Sequence, residues 1–273
     1  MNNIKTAVLL AAMSGLLIAI GGSLGGSSGA VTALVVAVAM NFGSYWFSAD
    51  IVLRTAHARE IKRETDPPLF AMIEEVSQAA GMPMPRVYVM DEPQPNAFAT
   101  GRNPQHAAVA VTTGIRQLLN DRELRGVLGH ELAHVKNRDI LTSSVVATIA
   151  SAISMVAWMG MWFGGDRRNG NGAAGLIAMI VAPIAATLIQ LAVSRSREFE
   201  ADHDGAAIVR DPEALASALQ KLEMGSRRTT MNVPQSTAHM FIVNPFAGLR
   251  GGQWFATHPP TAERIARLRR MST

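Results

Sequence analysis

The chain has no cysteine in its 273 residues, which excludes a disulfide framework, a thiolate nucleophile and any metal site built on thiolates. It fits a reducing compartment as well as simple avoidance, so it does not assign one. Charge is also scarce, at 17% Asp, Glu, Lys and Arg. Hydrophobic residues reach 48%, and the mean hydropathy of +0.16 is high for a soluble globule. No internal repeat is present, which excludes a solenoid. The basic residues are not gathered on one recognition helix, so a pI near 9.9 argues for attraction to anionic lipid and against nucleic acid.

Four stretches lack charge altogether, over residues 6–24, 30–47, 141–163 and 175–193. Each has about 18–23 residues, enough for a helix at 1.5 Å per residue to cross roughly 30 Å of hydrocarbon. The first pair is joined by Gly21–Gly29, an uncharged connector rich in Gly and Ser. Lys5 before an apolar run also fits a signal peptide, but no small-x-small cleavage site precedes a polar mature start. A second apolar stretch follows at once, so a retained hairpin is expected.

Basic residues orient these spans. Lys5, Arg54, Arg59, Lys62, Arg63, Lys136, Arg138, Arg195 and Arg197 flank one side, and only Arg167 and Arg168 the other, nine against two. Both termini and the segments between the hairpins are therefore expected in the cytoplasm. The expected organisation is a transmembrane hairpin over 1–47, a cytoplasmic part over 48–140, a second hairpin over 141–193 and a cytoplasmic part over 194–273.

Within 48–140 the most informative segment is His130-Glu131-Leu132-Ala133-His134. Four-residue spacing on a helix places both imidazoles on one face, half of a tetrahedral zinc site. Glu131 falls beside the metal, where a carboxylate can take a proton from an attacking water. A helix is expected here: Asn120 and Glu123 read as a capping box. Leu124, Val127, Leu128, Leu132 and Val135 form an apolar stripe. Gly126 and Gly129 are costly inside a helix, and read either as clearance for substrate or as a close helix–helix contact. A third ligand must be a His or a carboxylate elsewhere. Ser194–Asp202 offers Glu198, Glu200 and Asp202. Glu198 and Asp202 share a helix face, and Glu200 points away.

The soluble parts read as α+β. Pro67 and Pro68 open a helix that Gly81 stops, and Arg86–Met90, Asn96–Thr100 and Ala107–Thr112 read as strands. Asp211 and Pro212 start a helix through Leu222, and Glu263–Met271 is a short basic one. Residues 224–256 have little periodicity and read as a long, mobile loop. His57 and His106 read as surface residues, His203 as an unsuitable ligand, and His239 as a loop histidine near a cleft.

The order His130-Glu131-x-x-His134, then Ser194-Arg195-x-Arg197-Glu198-Phe199-x-Ala201-Asp202, resembles the HtpX-type membrane-bound zinc metalloproteases. The CaaX prenyl-protein endopeptidases of the same superfamily are similar at these motifs. Pro95-Asn96-Ala97-Phe98-Ala99-Thr100-Gly101 resembles the strand preceding the zinc helix in that family. Thr257-His258-Pro259-Pro260-Thr261-x-Glu263-Arg264-Ile265 resembles its C-terminal signature. The resemblance covers nearly the whole chain. It implies one zinc ion per chain on His130, His134 and Glu198, Glu131 as base, Asp202 supporting a ligand, and Asn96 and His258 lining the substrate site.

The expected fold is thus a mainly α integral-membrane protein with four transmembrane helices and a cytoplasmic zincin-like α+β catalytic domain with a small sheet. Its expected place is the inner membrane, multi-pass, with polypeptide or membrane-protein substrates. The resemblance implies quality control of misfolded or damaged membrane proteins under stress. Two alternatives stand beside it. One is a selective processing protease of the CaaX type, whose closed chamber needs more than four spans. The other is a non-catalytic scaffold in which zinc only holds elements together, a role that has no use for Glu131. The oligomeric state is not legible.

Overall fold

The computed structural model of the chain describes residues 2–145, 195–233, 235–249 and 258–271. It begins with α1, Asn2–Thr55, which is two helices meeting at Gly25 and Gly26. Gly26 has φ 60° and ψ −144°, backbone that a side chain would strain, and this lets the chain reverse. The halves run antiparallel: Asn41 Nδ2 donates to Ser14 Oγ at 2.8 Å. The uncharged stretches 6–24 and 30–47 lie in these two halves. The connector expected over Gly21–Gly29 is much shorter, because small residues let the helices approach closely up to the turn: a Cβ on Gly21 would stand 2.5 Å from that of Ala33.

Among the described residues, one helix, Gly25–Thr55, is long and apolar enough to cross a membrane. The four expected transmembrane helices are therefore seen only in this part. The stretches 141–163 and 175–193 lie outside the described residues except for 141–145, which are helical.

The second half of α1 runs past residue 47 because its end has a partner. Val52, Leu53 and Ala56 are buried against Tyr88, Met90, Phe98, Ala108 and Ala110 on one face of a sheet. That sheet has four strands: β1 (Arg59–Glu60), β2 (Arg86–Met90), β3 (Ala97–Gly101) and β4 (Ala107–Thr112), in the order β1-β2-β4-β3. β2 and β4 are parallel; the outer pairs are antiparallel. β1, two exposed residues, carries no pattern that a sequence reading could find.

Alternation does the rest. Val87, Ala97, Ala99, Val109 and Val111 point to the opposite face, into the main core. Helices cover that face: α2 (Pro67–Ala79), α3 (Thr113–Leu118), α4 (Asp121–Lys136), α5 (Arg195–Val209), α6 (Pro212–Ser226) and α7 (Thr261–Met271). Asp66 caps α2 and Asp211 caps α6, each through its carboxylate, and Gly81 follows α2 with φ 70°. The Asn120–Glu123 capping box forms at the start of α4. The stretches 48–140 and 194–273 thus share one core.

Of the long loop expected over 224–256, the described residues 224–233 and 235–249 are held in place, and 234 and 250–256 lie outside the described residues. Helix α6 continues to Ser226, Gln235–Met240 is a 3-10 helix, and Met231, Phe241, Ile242 and Phe246 are buried. Two buried amides take the place of a ladder. Gln94 Nε2 donates to the carbonyls of Thr229 (2.6 Å) and Pro245 (3.0 Å), and Asn96 Nδ2 to that of Val243 (3.0 Å).

Candidate active site

Helix α4 carries His130, Glu131 and His134; α5 lies across it and brings Glu198. Contact this close needs glycine on both sides. A Cβ on Gly205 of α5 would stand 2.6 Å from His130 N, and one on Gly126 2.7 Å from Leu215 N on α6. The glycines of α4 are therefore helix–helix contacts.

The donors converge. His134 Nε2 stands 3.5 Å from Glu198 Oε1, and His130 Nε2 3.9 Å from Glu198 Oε2. A tetrahedron with bonds of about 2.1 Å has edges of about 3.4 Å, so these separations suit a zinc-sized ion between the three groups. Glu200 is exposed.

Each imidazole is held through its other nitrogen, with Nε2 aimed inward. His130 Nδ1 meets Asp202 Oδ1 at 3.0 Å, and His134 Nδ1 meets Asp139 Oδ2 at 3.1 Å. Asp202 is in turn gripped by Arg264 of α7, whose Nε and Nη2 donate to its two oxygens at 2.8 and 2.7 Å. Arg264 is among the largest fully buried side chains.

Neither Asp139 nor Arg264 stands out in the sequence as a site residue. Asp139 lies beyond the end of α4. It returns to His134 because Arg138 takes a left-handed conformation, φ 59°, which no residue pattern announces. Arg264 sits in the His258–Ile265 signature, but among so many basic residues only burial distinguishes it.

Burial and charge shift the groups of the cleft in both directions. Burial lowers the His134 imidazole, and the Glu198 carboxylate more than reverses this, raising it to about 9. His130 goes the other way: burial, helped by the Arg264 guanidinium, lowers it to about 4 against the pull of Asp202. Burial alone would raise Glu198, but His258 and His134 hold it well below the usual carboxylate range. Glu131 has fewer compensating partners, and burial pushes it up to about 7.

The remaining expected residues fall on both sides of the cleft. His258 Nδ1 lies 2.7 Å from Glu198 Oε2, and its buried Nε2 has no hydrogen-bond partner. Asn96 is fully buried and spends its amide on Val243, outside the cavity wall. The cavity itself holds about 40 Å3, room for an ion and water but not for a peptide. His239, Ile242 and Arg197 are among the residues that line it. The outward edge of β3 is taken as well: Ala99 N donates to Glu131 Oε2 at 2.8 Å, and Ile242 N to the Ala97 carbonyl at 3.1 Å.

Comparison with known proteins agrees with this arrangement. The model of peptidase family M48 matches residues 63–272. A protease HtpX homolog of Burkholderia thailandensis is 53% identical over 277 residues, covering 99% of this chain and 97% of the relative. One from Burkholderia mallei matches to the same extent. The crystal structure of S. mikatae Ste24p is similar in fold, with a TM-score of 0.53 at 17% identity over 98% of this chain and 65% of that one. With two histidines and two glutamates gathered in one cleft, and with that family matched over most of its length, the chain belongs to peptidase family M48.

Proposed function

We propose that this peptidase is an integral-membrane zinc endopeptidase with its cleft on the cytoplasmic side. The observation that carries the reading is the convergence of His130 Nε2, His134 Nε2 and a Glu198 carboxylate oxygen, all within 4.8 Å of one another, beside a buried Glu131. These three residues would hold one zinc ion, which when bound polarises a scissile carbonyl and acidifies water.

The chain supplies the rest. Glu131, raised to about 7 by burial, accepts the proton of the water that attacks the carbonyl, then returns it to the leaving amine. His258 is held by Glu198 through Nδ1, and its buried Nε2, without a hydrogen-bond partner, is placed to meet the oxyanion. Asp202 and Asp139 keep the two metal-facing nitrogens in place. A substrate strand that pairs with β3 must displace Ile242 from Ala97. Broad tolerance of sequence follows from such backbone pairing. It suits the quality control of damaged membrane proteins that the resemblance to HtpX-type proteases implies.

The test is Glu131→Gln. The amide keeps size and polarity but accepts no proton. The variant should bind zinc normally and cleave casein on the order of a hundredfold more slowly, or worse. Near-normal cleavage by the zinc-loaded variant removes Glu131 from its role.

A further inference from the structure

We propose that Arg102 and Arg138, with the apolar helix faces beside them, form a binding site for the phosphate of an anionic phospholipid. The inference rests on the reading that α1 lies in a bilayer.

Away from the catalytic cleft, a cavity of about 290 Å3 is lined by Ala7, Leu10, Tyr45, Leu141 and the two arginines, together with Asn103. Its walls are divided by chemistry. Ala7, Leu10 and Leu141 give it an apolar side, and the guanidiniums give it a polar one. No carboxylate lines it among the described residues, and neither arginine has an ion-pair partner there. The neighbouring arginine differs: Arg86 is tied to Asp50 at 3.2 Å. Arg102 is instead laid over the Trp46 ring at 4.3 Å, which fixes its position and leaves its charge uncancelled. The left-handed turn at Arg138 carries the second guanidinium to the same cavity.

Depth supports a lipid. Trp46 lies 20 residues beyond the Gly26 turn, about 30 Å along a helix, the thickness of the hydrocarbon layer. The Ser14–Asn41 bond sets the register of the hairpin and brings Leu10 opposite Tyr45 at that same level. Val31, Leu34, Val35, Val38 and Phe42, on the turn side of Tyr45, are exposed and apolar. Tyr45 and Trp46 therefore mark an interfacial belt, and the two arginines stand where headgroup phosphates lie. Guanidinium forks match phosphate oxygens, and the apolar wall leaves a path for an acyl chain along the hairpin.

The test uses full-length protein in mild neutral detergent, titrated with phosphatidylglycerol, with bound lipid counted by native mass spectrometry. Arg102→Gln with Arg138→Gln should weaken retention about thirtyfold, from roughly fivefold per basic residue. Arg54→Gln with Lys62→Gln removes the same charge elsewhere and should change it far less. Phosphatidylcholine should bind the wild type no better than phosphatidylglycerol binds the first variant. Equal retention by wild type and that variant overturns the site. Displacement by glycerol 3-phosphate overturns the lipid assignment in favour of a soluble phosphate ligand. If the glutamine pair does not fold, Arg102→Lys with Arg138→Lys keeps the charge and loses the fork. It should weaken retention measurably, and no weakening overturns the site. Vesicle insertion separates the two readings: protein that enters no bilayer fails the membrane reading. Protein that inserts without preferring phosphatidylglycerol fails the site alone.

Discussion

Two aspartates hold the two histidines by different routes, and the difference sets what each substitution costs. Asp139 meets His134 from just beyond α4, with Arg197 Nη1 3.5 Å away. Asp139→Asn keeps the shape and weakens the hold on the ring, so zinc affinity should fall about 10–100-fold in a chelator competition. An unchanged affinity would show that the contact is incidental. Asp202 belongs to a buried chain of charge, Arg264 to Asp202 to His130. Removing Arg264 takes the guanidinium from a buried carboxylate and leaves it only His130, so Arg264→Met should lower stability by about 3–5 kcal/mol in denaturant melts, besides loosening zinc. A melt within about 1 kcal/mol of wild type would mean that water reaches Asp202 in solution. Glu198 and Glu200 differ in exposure, Glu198 buried and Glu200 exposed. Glu198→Ala should purify without zinc and Glu200→Ala with it, since Glu200 is exposed outside the cavity. Metal analysis of both decides the assignment.

The elements follow local rules closely enough that most of the fold was legible. β2 and β4 lie where their β-branched alternation puts them, and α2, α4 and α6 start at their Asp and Asn caps. What escaped was placed by tertiary contact. The two-residue strand β1 exists only because β2 has a free edge beside it. Residues 231–233 and 235–246 follow the grip of Gln94 and Asn96, and a sequence does not show what a lone amide will hold. In the site, helical spacing paired the histidines beside Glu131 and put Glu198 and Asp202 on one face, the family resemblance chose Glu198, and Asp139 and Arg264 needed the turn at Arg138 and the docking of α7. The contact of α4 with α5 invites a direct check. Gly205→Ala places a methyl 2.6 Å from His130 N, a backbone atom that cannot yield. The helices must part, so both melting temperature and zinc affinity should fall, while a surface change such as Glu200→Ala alters neither. At the start of α4, burial would raise Glu123. Lys221 at 2.7 Å, with Ser217 and the Asn120 amide, outweighs this and lowers its pKa below the ordinary 4.5. A lowered folded pKa gives stability that is present above the unfolded value and lost as pH falls below it. Glu123→Gln should therefore be clearly less stable than wild type at pH 7, with the gap closing below about pH 4.5. A gap that stays constant with pH would assign the effect to packing.

At the scale of the molecule, one joint fixes the catalytic part relative to the hairpin. Val52, Leu53 and Ala56 are buried on the sheet that carries β3, and β3 reaches Glu131 through Ala99. The Gly25–Gly26 turn is at the far end of the same helix, so in the proposed membrane-crossing hairpin the turn and the cleft should lie on opposite sides. Charge then chooses the sides. The segment from Arg54 to Arg63 carries Arg54, Arg59, Lys62 and Arg63 next to the sheet, and the turn carries no charge at all. Basic flanks stay in the cytoplasm, so the cleft and both termini should face it, with the turn outside. A reporter active only outside the membrane, fused at Gly25, should be active, and one fused at the C-terminus silent; a cytoplasmic reporter should give the reverse. Because α1 packs on the sheet through Val52, Leu53 and Ala56, the two fusions test one orientation and should agree. Replacing Arg54, Arg59, Lys62 and Arg63 with Gln should move a measurable fraction of chains to the inverted form, in which zinc sites and casein cleavage are lost from the cytoplasmic fraction. A wild-type C-terminus reading as external would overturn the orientation and, through the packing of α1 on the sheet, the side on which the peptidase works.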